Sequence, residues 1–147
     1  MKILILNGPN LNLLGIREPN IYGKESFADL EDFIRRTCAN VGVEVELFQS
    51  NHEGAIIDKI QEAYGRIDGI VINPAAYTHT SIAIPDALRA VNIPTVEVHL
   101  SDISKRETFR RISYVSPCAV KTVCGKGFDG YREAIEFLKT HFDHPKN

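Results

Sequence analysis

Two segments of this sequence concentrate side chains that can move or hold a proton. Asn7-Gly8-Pro9-Asn10-Leu11-Asn12-Leu13-Leu14-Gly15-Ile16-Arg17-Glu18-Pro19-Asn20-Ile21-Tyr22-Gly23 follows one apolar run, and Asn73-Pro74-Ala75-Ala76-Tyr77-Thr78-His79-Thr80-Ser81 follows another. A tyrosine titrates near about 10 and is a poor base at neutral pH. A guanidinium beside it favours the phenolate. Bringing the phenol to about 7–8 takes about 3–4 kcal/mol, which a close, desolvated arginine supplies and an exposed one does not. Arg17 and Tyr22 share a segment with Gly15 and Gly23 near its ends, the pattern of a lid that closes over a ligand and excludes water. The competing reading is a surface loop with a solvated arginine.

His79 and His99 each follow an apolar run at its C-terminal end, where imidazole can donate or accept a proton near neutrality. Glu97 lies two residues before His99, so on a strand both side chains share a face and the carboxylate can orient the ring. A histidine bonded to backbone at a strand end is the alternative for either. Leu100 and Ser101 open a loop whose backbone donors can hold a carboxylate or phosphate. Arg106, Arg110 and Arg111 follow on a helical turn that can bring one of them to a site. Asn10, Asn12 and Asn73 are neutral hydrogen-bonders suited to hydroxyls or a water, and asparagine is also common in turns.

Other chemistries are poorly served. No Gly-x-Gly-x-x-Gly or Walker loop is present, and the His79, Glu97, His99 spacing matches no standard metal pattern. No lysine falls on the strand-end floor, which argues against an imine-forming lysine. The net charge of −2 gives no general attraction to nucleic acid or to anionic membranes, and no apolar stretch reaches the roughly 18 residues of a membrane span. Met1–Leu6 is too short for a signal-peptide core and reads as a buried strand. Cys38, Cys118 and Cys124 are odd in number and widely spaced, so neither a disulfide framework nor a zinc site is indicated, and a reducing cytoplasm fits.

The elements that must position these residues alternate. Ile3–Leu6 and Gly69–Ile72 are short, wholly apolar runs that predict central parallel strands. Val43–Phe48 alternates and predicts an edge strand. Pro94–His99 and Val120–Cys124 complete five strands, the last with polar Lys121 and Thr122 at the other edge. Helices are expected behind the capping box Ser26-Phe27-Ala28-Asp29, over about 54–64, over about 81–91, and in a C-terminal segment with Tyr131, Ala134, Ile135 and Leu138 inward. Right-handed crossovers then predict an α/β fold of three layers, residues 1–147 forming a single domain with strand order 2-1-3-4-5. The switch point between strands 1 and 3 brings both polar segments to one edge, where open α/β sheets bind ligands.

Taken in order, Asn7-Gly8-Pro9-Asn10-Leu11-Asn12, Arg17-Glu18-Pro19…Tyr22-Gly23, Asn73-Pro74…Tyr77-Thr78-His79-Thr80-Ser81 and Glu97-Val98-His99-Leu100-Ser101 closely resemble the type II 3-dehydroquinate dehydratases. No single motif is decisive, but all four at these spacings are specific, and the match extends to Arg110…Ser113-Tyr114. The resemblance implies a flavodoxin-like fold and a cofactor-free, cytoplasmic lyase of the shikimate pathway. Its reaction is trans elimination of water from 3-dehydroquinate through an enolate, without a Schiff base, in a homododecamer built as a tetramer of trimers. Tyr22 matches the base and Arg17 the residue that keeps it ionised. Asn10 matches the residue holding a water at the enolate oxygen, and His99 the acid, partnered by Glu97. Asn73, His79 and Arg110 match binders of ring hydroxyls, and the backbone of Leu100 and Ser101 matches a carboxylate cradle. Asp86 matches a residue entering from a neighbouring subunit. Ala75 departs from the glycine common in the family, at a cost of about 1 kcal/mol if its φ is positive. Two other readings use the same switch point without Tyr22 as base: a flavodoxin-like module binding FMN or a phosphoryl group, and a protein-interaction domain.

Overall fold

A computed structural model describes residues 1–16, 20 and 24–144. Arg17 and Tyr22 lie outside the described residues. Five parallel strands, β1 (Lys2–Asn7), β2 (Glu44–Gln49), β3 (Gly69–Asn73), β4 (Thr95–His99) and β5 (Lys121–Cys124), form one sheet in the order β2-β1-β3-β4-β5. Among the described residues the principal helices are α1 (Phe27–Val41), α2 (Glu53–Glu62), α3 (Ala83–Val91) and α4 (Asp129–Asp143). The expected order is the observed one, for the expected reason. The central strands β1 and β3 are buried nearly throughout, while β2 and β5 are only partly covered.

Strand alternation divides the core in two. Ile3, Ile5 and Val71 face α1 and α4, where Leu30, Ile34, Tyr131 and Leu138 pack on them. Leu4, Leu6, Ile70 and Ile72 face α2 and α3, against Ile56, Ile60, Ile84 and Leu88. Edge strand β2 places Glu46 against Lys59 at 2.5 Å and Arg66 at 3.3 Å, the charged dressing that discourages further strand pairing.

The capping box is present in full. Ser26 Oγ accepts from the Asp29 N–H at 3.1 Å and Asp29 Oδ2 accepts from the Ser26 N–H at 2.9 Å. Cys38 is buried in the core, as its place on the apolar stripe implied, and burial pushes its thiol up to about 11. Helix α3 starts two residues later than its sequence pattern suggests. Ser81 stays outside it and its hydroxyl accepts from the Ile84 N–H at 3.0 Å. Pro85 then falls in the first turn, where its missing N–H has no intrahelical partner to lose.

Candidate functional site at the switch point

Asn7 and Asn73 end β1 and β3 as register partners, and both side chains are buried. The loops leaving them nearly touch. The Gly8 N–H donates to the Asn73 carbonyl at 2.8 Å. A Cβ on Gly8 would stand 2.5 Å from the Pro74 carbonyl oxygen, so only glycine allows this approach. The Asn73 side chain accepts from the Ala75 N–H at 3.1 Å, an Asx turn that starts the 3-10 segment Ala75–His79. Ala75 has φ 52°, the left-handed region in which an alanine is strained, so the condition attached to its departure from glycine is met.

These loops and the end of β4 line an open cavity. Asn73, His79, His99, Leu100, Ser101 and Arg110 line it, together with Arg106. Six residues read from the sequence as site candidates are thus brought together, from β3, β4 and the two loops that follow them.

Glu97 stands behind His99. His99 Nε2 donates to Glu97 Oε1 at 2.7 Å, and neither side chain is appreciably exposed. The carboxylate is also held by three hydroxyls. Ser113 Oγ donates to Oε1 at 2.5 Å, Ser116 Oγ to Oε2 at 2.5 Å, and Thr122 Oγ1 to Oε2 at 3.2 Å. Burial pushes the Glu97 carboxyl up, but its contacts with His99, Ser113 and Ser116 outweigh that and hold it below the usual range. A buried carboxylate is thereby kept ionised, and it fixes the ring that faces the cavity.

His79 is anchored differently. Nδ1 donates to the Ile112 carbonyl at 2.7 Å, which leaves Nε2 for the cavity. Burial pushes this imidazole down from its ordinary value, with the nearby His99 and Arg110 acting in the same direction, so the neutral ring is favoured. Arg110 Nε is buried without a hydrogen bond and lies 3.3 Å from Glu107 Oε2, an electrostatic contact of poor angle. Arg106 approaches Ser101 Oγ at 3.5 Å. The helical turn expected here is a pair of short 3-10 turns, Ile103–Lys105 followed by Arg106 and Thr108–Arg110 followed by Arg111. That geometry turns Arg106 and Arg110 to the cavity and leaves Arg111 exposed, its Nε donating to the Arg106 carbonyl at 2.8 Å.

Besides Glu97 behind His99, two candidates fall outside the cavity wall. Asn10 is exposed in the left-handed region, φ 70°, with its N–H donating to Asn51 Oδ1 at 3.0 Å. Asp86 lies on α3 with its side chain 69% exposed and 3.8 Å from Arg89, and it does not line the cavity. Four contributors went unassigned in the sequence. Ser116 and Thr122 converge with Ser113 on Glu97, and Tyr131 meets Asn73 from beneath. Serine and threonine are ordinary loop residues, and Tyr131 reads as one more apolar position of α4, so only the Ser113-Tyr114 pair carried any signal. Among the described residues no group of His, Cys, Asp and Glu is placed to hold a metal ion, and no helix is long and apolar enough to cross a membrane.

A parallel α/β sheet with histidines, arginines and a buried carboxylate at the C-terminal edge of its strands has the make-up of an enzyme site. Residues 1–139 match the family described as Dehydroquinase class II. A catabolic 3-dehydroquinase of Verticillium alfalfae is 56% identical over 140 residues, covering 95% of this chain and 93% of that protein. A 3-dehydroquinate dehydratase of Clostridium acetobutylicum is 55% identical over 139 residues, covering 95% and 96%. The crystal structure of a type II dehydroquinase from Butyrivibrio crossotus superposes with a TM-score of 0.92 at 56% identity, covering 94% of this chain and 97% of that one. This chain belongs to the class II dehydroquinase family.

Proposed function

We propose that this enzyme is a hydro-lyase that removes water from 3-dehydroquinate by anti elimination to give 3-dehydroshikimate, a step of the shikimate pathway. The observation that carries the reading is the His99–Glu97 pair on the cavity floor, ringed by Asn73, His79 and Arg110. It is supported by dehydratases about 55% identical to the chain.

The reaction divides into two proton transfers. A proton next to the ketone is weakly acidic, and the enolate formed on its removal needs immediate charge stabilisation. Tyr22 as phenolate removes it, and Arg17 keeps that oxygen ionised. Asn10 holds a water against the enolate oxygen. The departing hydroxyl then takes a proton from His99. With Nε2 turned to Glu97, Nδ1 is the nitrogen left for substrate, and the carboxylate supplies the counter-charge while the ring carries its second proton. Asn73, His79 and Arg110 hold ring hydroxyls, and the Leu100–Ser101 backbone holds the carboxylate. Anti elimination demands that base and acid act on opposite faces of the substrate, and His99, at the end of β4, acts from the strand floor. No cofactor or metal takes part. Asp86, turned outward, completes the site of a neighbouring subunit in a dodecameric, cytoplasmic assembly.

The product is a conjugated enone, so ultraviolet absorbance follows turnover directly. Turnover of 3-dehydroquinate that survives borohydride is the expected result, whereas inactivation by reductant in the presence of substrate would indicate an imine and overturn the mechanism. Tyr22→Phe is expected to abolish turnover while substrate still binds; retained turnover would remove Tyr22 as the base.

A further inference from the structure

The Tyr131 side chain is fully buried, yet its hydroxyl sits among polar groups. It donates to Asn7 Oδ1 at 2.6 Å and accepts from Asn73 Nδ2 at 3.1 Å. The direction of both bonds is forced. The Ala75 N–H must meet the oxygen of the Asn73 amide, which turns Nδ2 toward Tyr131. The phenol oxygen therefore accepts there, and its own hydrogen goes to Asn7. Burial pushes the phenol up from its ordinary value, so it is neutral and serves as donor and acceptor at once. The element carrying it is seated closely: a Cβ on Gly130 would lie 3.3 Å from Val98 Cγ1 and 3.5 Å from Val123 Cγ1, so glycine there lets α4 settle against β4 and β5.

Asn7 and Asn73 are the last residues of the two strands that bound the switch point. Terminal amide torsions are broad and roughly two-fold, so an asparagine without partners samples both faces of its amide. Asn73 has four hydrogen-bonding positions, two of which are used by Ala75 and Tyr131. One N–H and one lone pair are left, with their directions already set.

We propose that Tyr131 is a positioning residue of the site, its hydroxyl clamping the Nδ2 end of the Asn73 amide while the Ala75 N–H holds the oxygen end, so that one donor and one acceptor are presented to a ring hydroxyl of the substrate. Tyr131 touches no substrate itself; it acts through Asn73, and the assignment rests on the dehydratase reading above. Losing the hydroxyl leaves the amide held by the Ala75 N–H alone, with Nδ2 unpartnered on its buried side, and leaves Asn7 Oδ1 buried without a donor.

The test is a double-mutant cycle on turnover of 3-dehydroquinate, with Tyr131→Phe, Asn73→Ala and the pair, each compared at equal folded fraction fixed by urea titration. Tyr131→Phe is expected to lower kcat/KM about tenfold, the factor associated with one well-placed hydrogen bond, mainly through a raised KM. The pair is expected to be no worse than Asn73→Ala alone within about twofold, because the hydroxyl has no other route to the substrate. Losses that multiply in the pair, or a Tyr131→Phe protein with unchanged kcat/KM, overturn the proposal. If Tyr131→Phe does not fold, Asn7→Ala removes the acceptor of the same chain. It is expected to raise KM severalfold with the same absence of additivity toward Asn73→Ala, and an unchanged KM overturns the proposal. A wild-type protein that fails to turn over 3-dehydroquinate would instead sink the dehydratase reading, while a working wild type with an additive cycle sinks Tyr131 alone.

Discussion

At the scale of single residues, the site is built from groups whose protonation state is set by what they touch. His79 shows the sign of such an effect. Burial, more than its charged neighbours, disfavours the imidazolium, so the folded chain binds this proton less readily than the unfolded chain. The stability it contributes is present above its ordinary value of about 6.5 and is lost as pH falls through that value toward the lower folded one. Replacing His79 with Asn is therefore expected to flatten the fall in urea midpoint between pH 7.5 and pH 5; a fall as steep as that of the parent would show that His79 is not its source. Ala75 gives a second prediction. At φ 52° its methyl is strained, and Ala75→Gly is expected to raise stability by about 1 kcal/mol, offset in part by the greater freedom of glycine in the unfolded chain. A lowered urea midpoint would mean that packing of the methyl outweighs the strain. The histidine at position 79 was legible in the sequence, but the direction of its shift was not, because that depends on how deeply the fold buries the ring and on distant groups such as His99 and Arg110. The hydroxyls on Glu97 make the same point: Ser113, Ser116 and Thr122 have no common spacing, and only the fold places them on one carboxylate.

At the scale of elements, what the sequence made plain was hydrophobic period and punctuation. Two wholly apolar runs flanked by polar loops read as central parallel strands and an alternating one as an edge strand, and the observed order is the one this suggested. The start of α3 lies about two residues later than its pattern suggests, and the Ser81 hydroxyl, outside the helix, accepts from the Ile84 N–H. The segment from 102 to 118 was the least legible. Its 3-10 turns lack an amphipathic period, and which arginine faces the cavity depends on a turn geometry that composition does not encode. The contact between the loops after β1 and β3 is equally invisible in sequence, because a glycine after a strand announces a turn and not what it approaches. Gly8 tests that contact. A methyl there would meet the Pro74 carbonyl oxygen at 2.5 Å and its carbon at 2.7 Å, so the loops must part and the Gly8–Asn73 bond must break. Gly8→Ala is expected to cost about 2 kcal/mol or more of stability and to lower kcat/KM along with it. Urea titration and the enone assay on the same preparation check both, and a variant with parental stability would mean that the two loops are not held together at Gly8.

At the scale of the whole molecule, the sheet keeps two kinds of polar chemistry on its two faces. Asn7, Asn73 and Tyr131 form a neutral chain on the side of α1 and α4. Glu97, the register partner of Ile72, lies on the side of α2 and α3 and carries a charge into the interior. That charge couples global stability to acid. Burial pushes the carboxyl up, but the bonds from His99 and the serine hydroxyls more than compensate, and the folded chain holds its proton less tightly than the unfolded chain does. A group depressed in this way stabilises above its unfolded value of about 4.3, and the contribution disappears as pH falls through the folded value. Glu97→Gln keeps the volume but removes the charge and turns one acceptor into a donor facing hydroxyls and imidazole. At pH 7 this is expected to cost about 3 kcal/mol, in the range for breaking a buried pair. The deficit should shrink as wild type and variant are titrated down through pH 4 to pH 3, because acid removes from the wild type what the substitution has already removed. Urea midpoints of the two proteins measured from pH 3 to pH 7 decide it. Converging curves are expected, whereas curves that stay parallel would mean that Glu97 is protonated in the folded protein, and the ring it orients would then have no counter-charge to support a second proton.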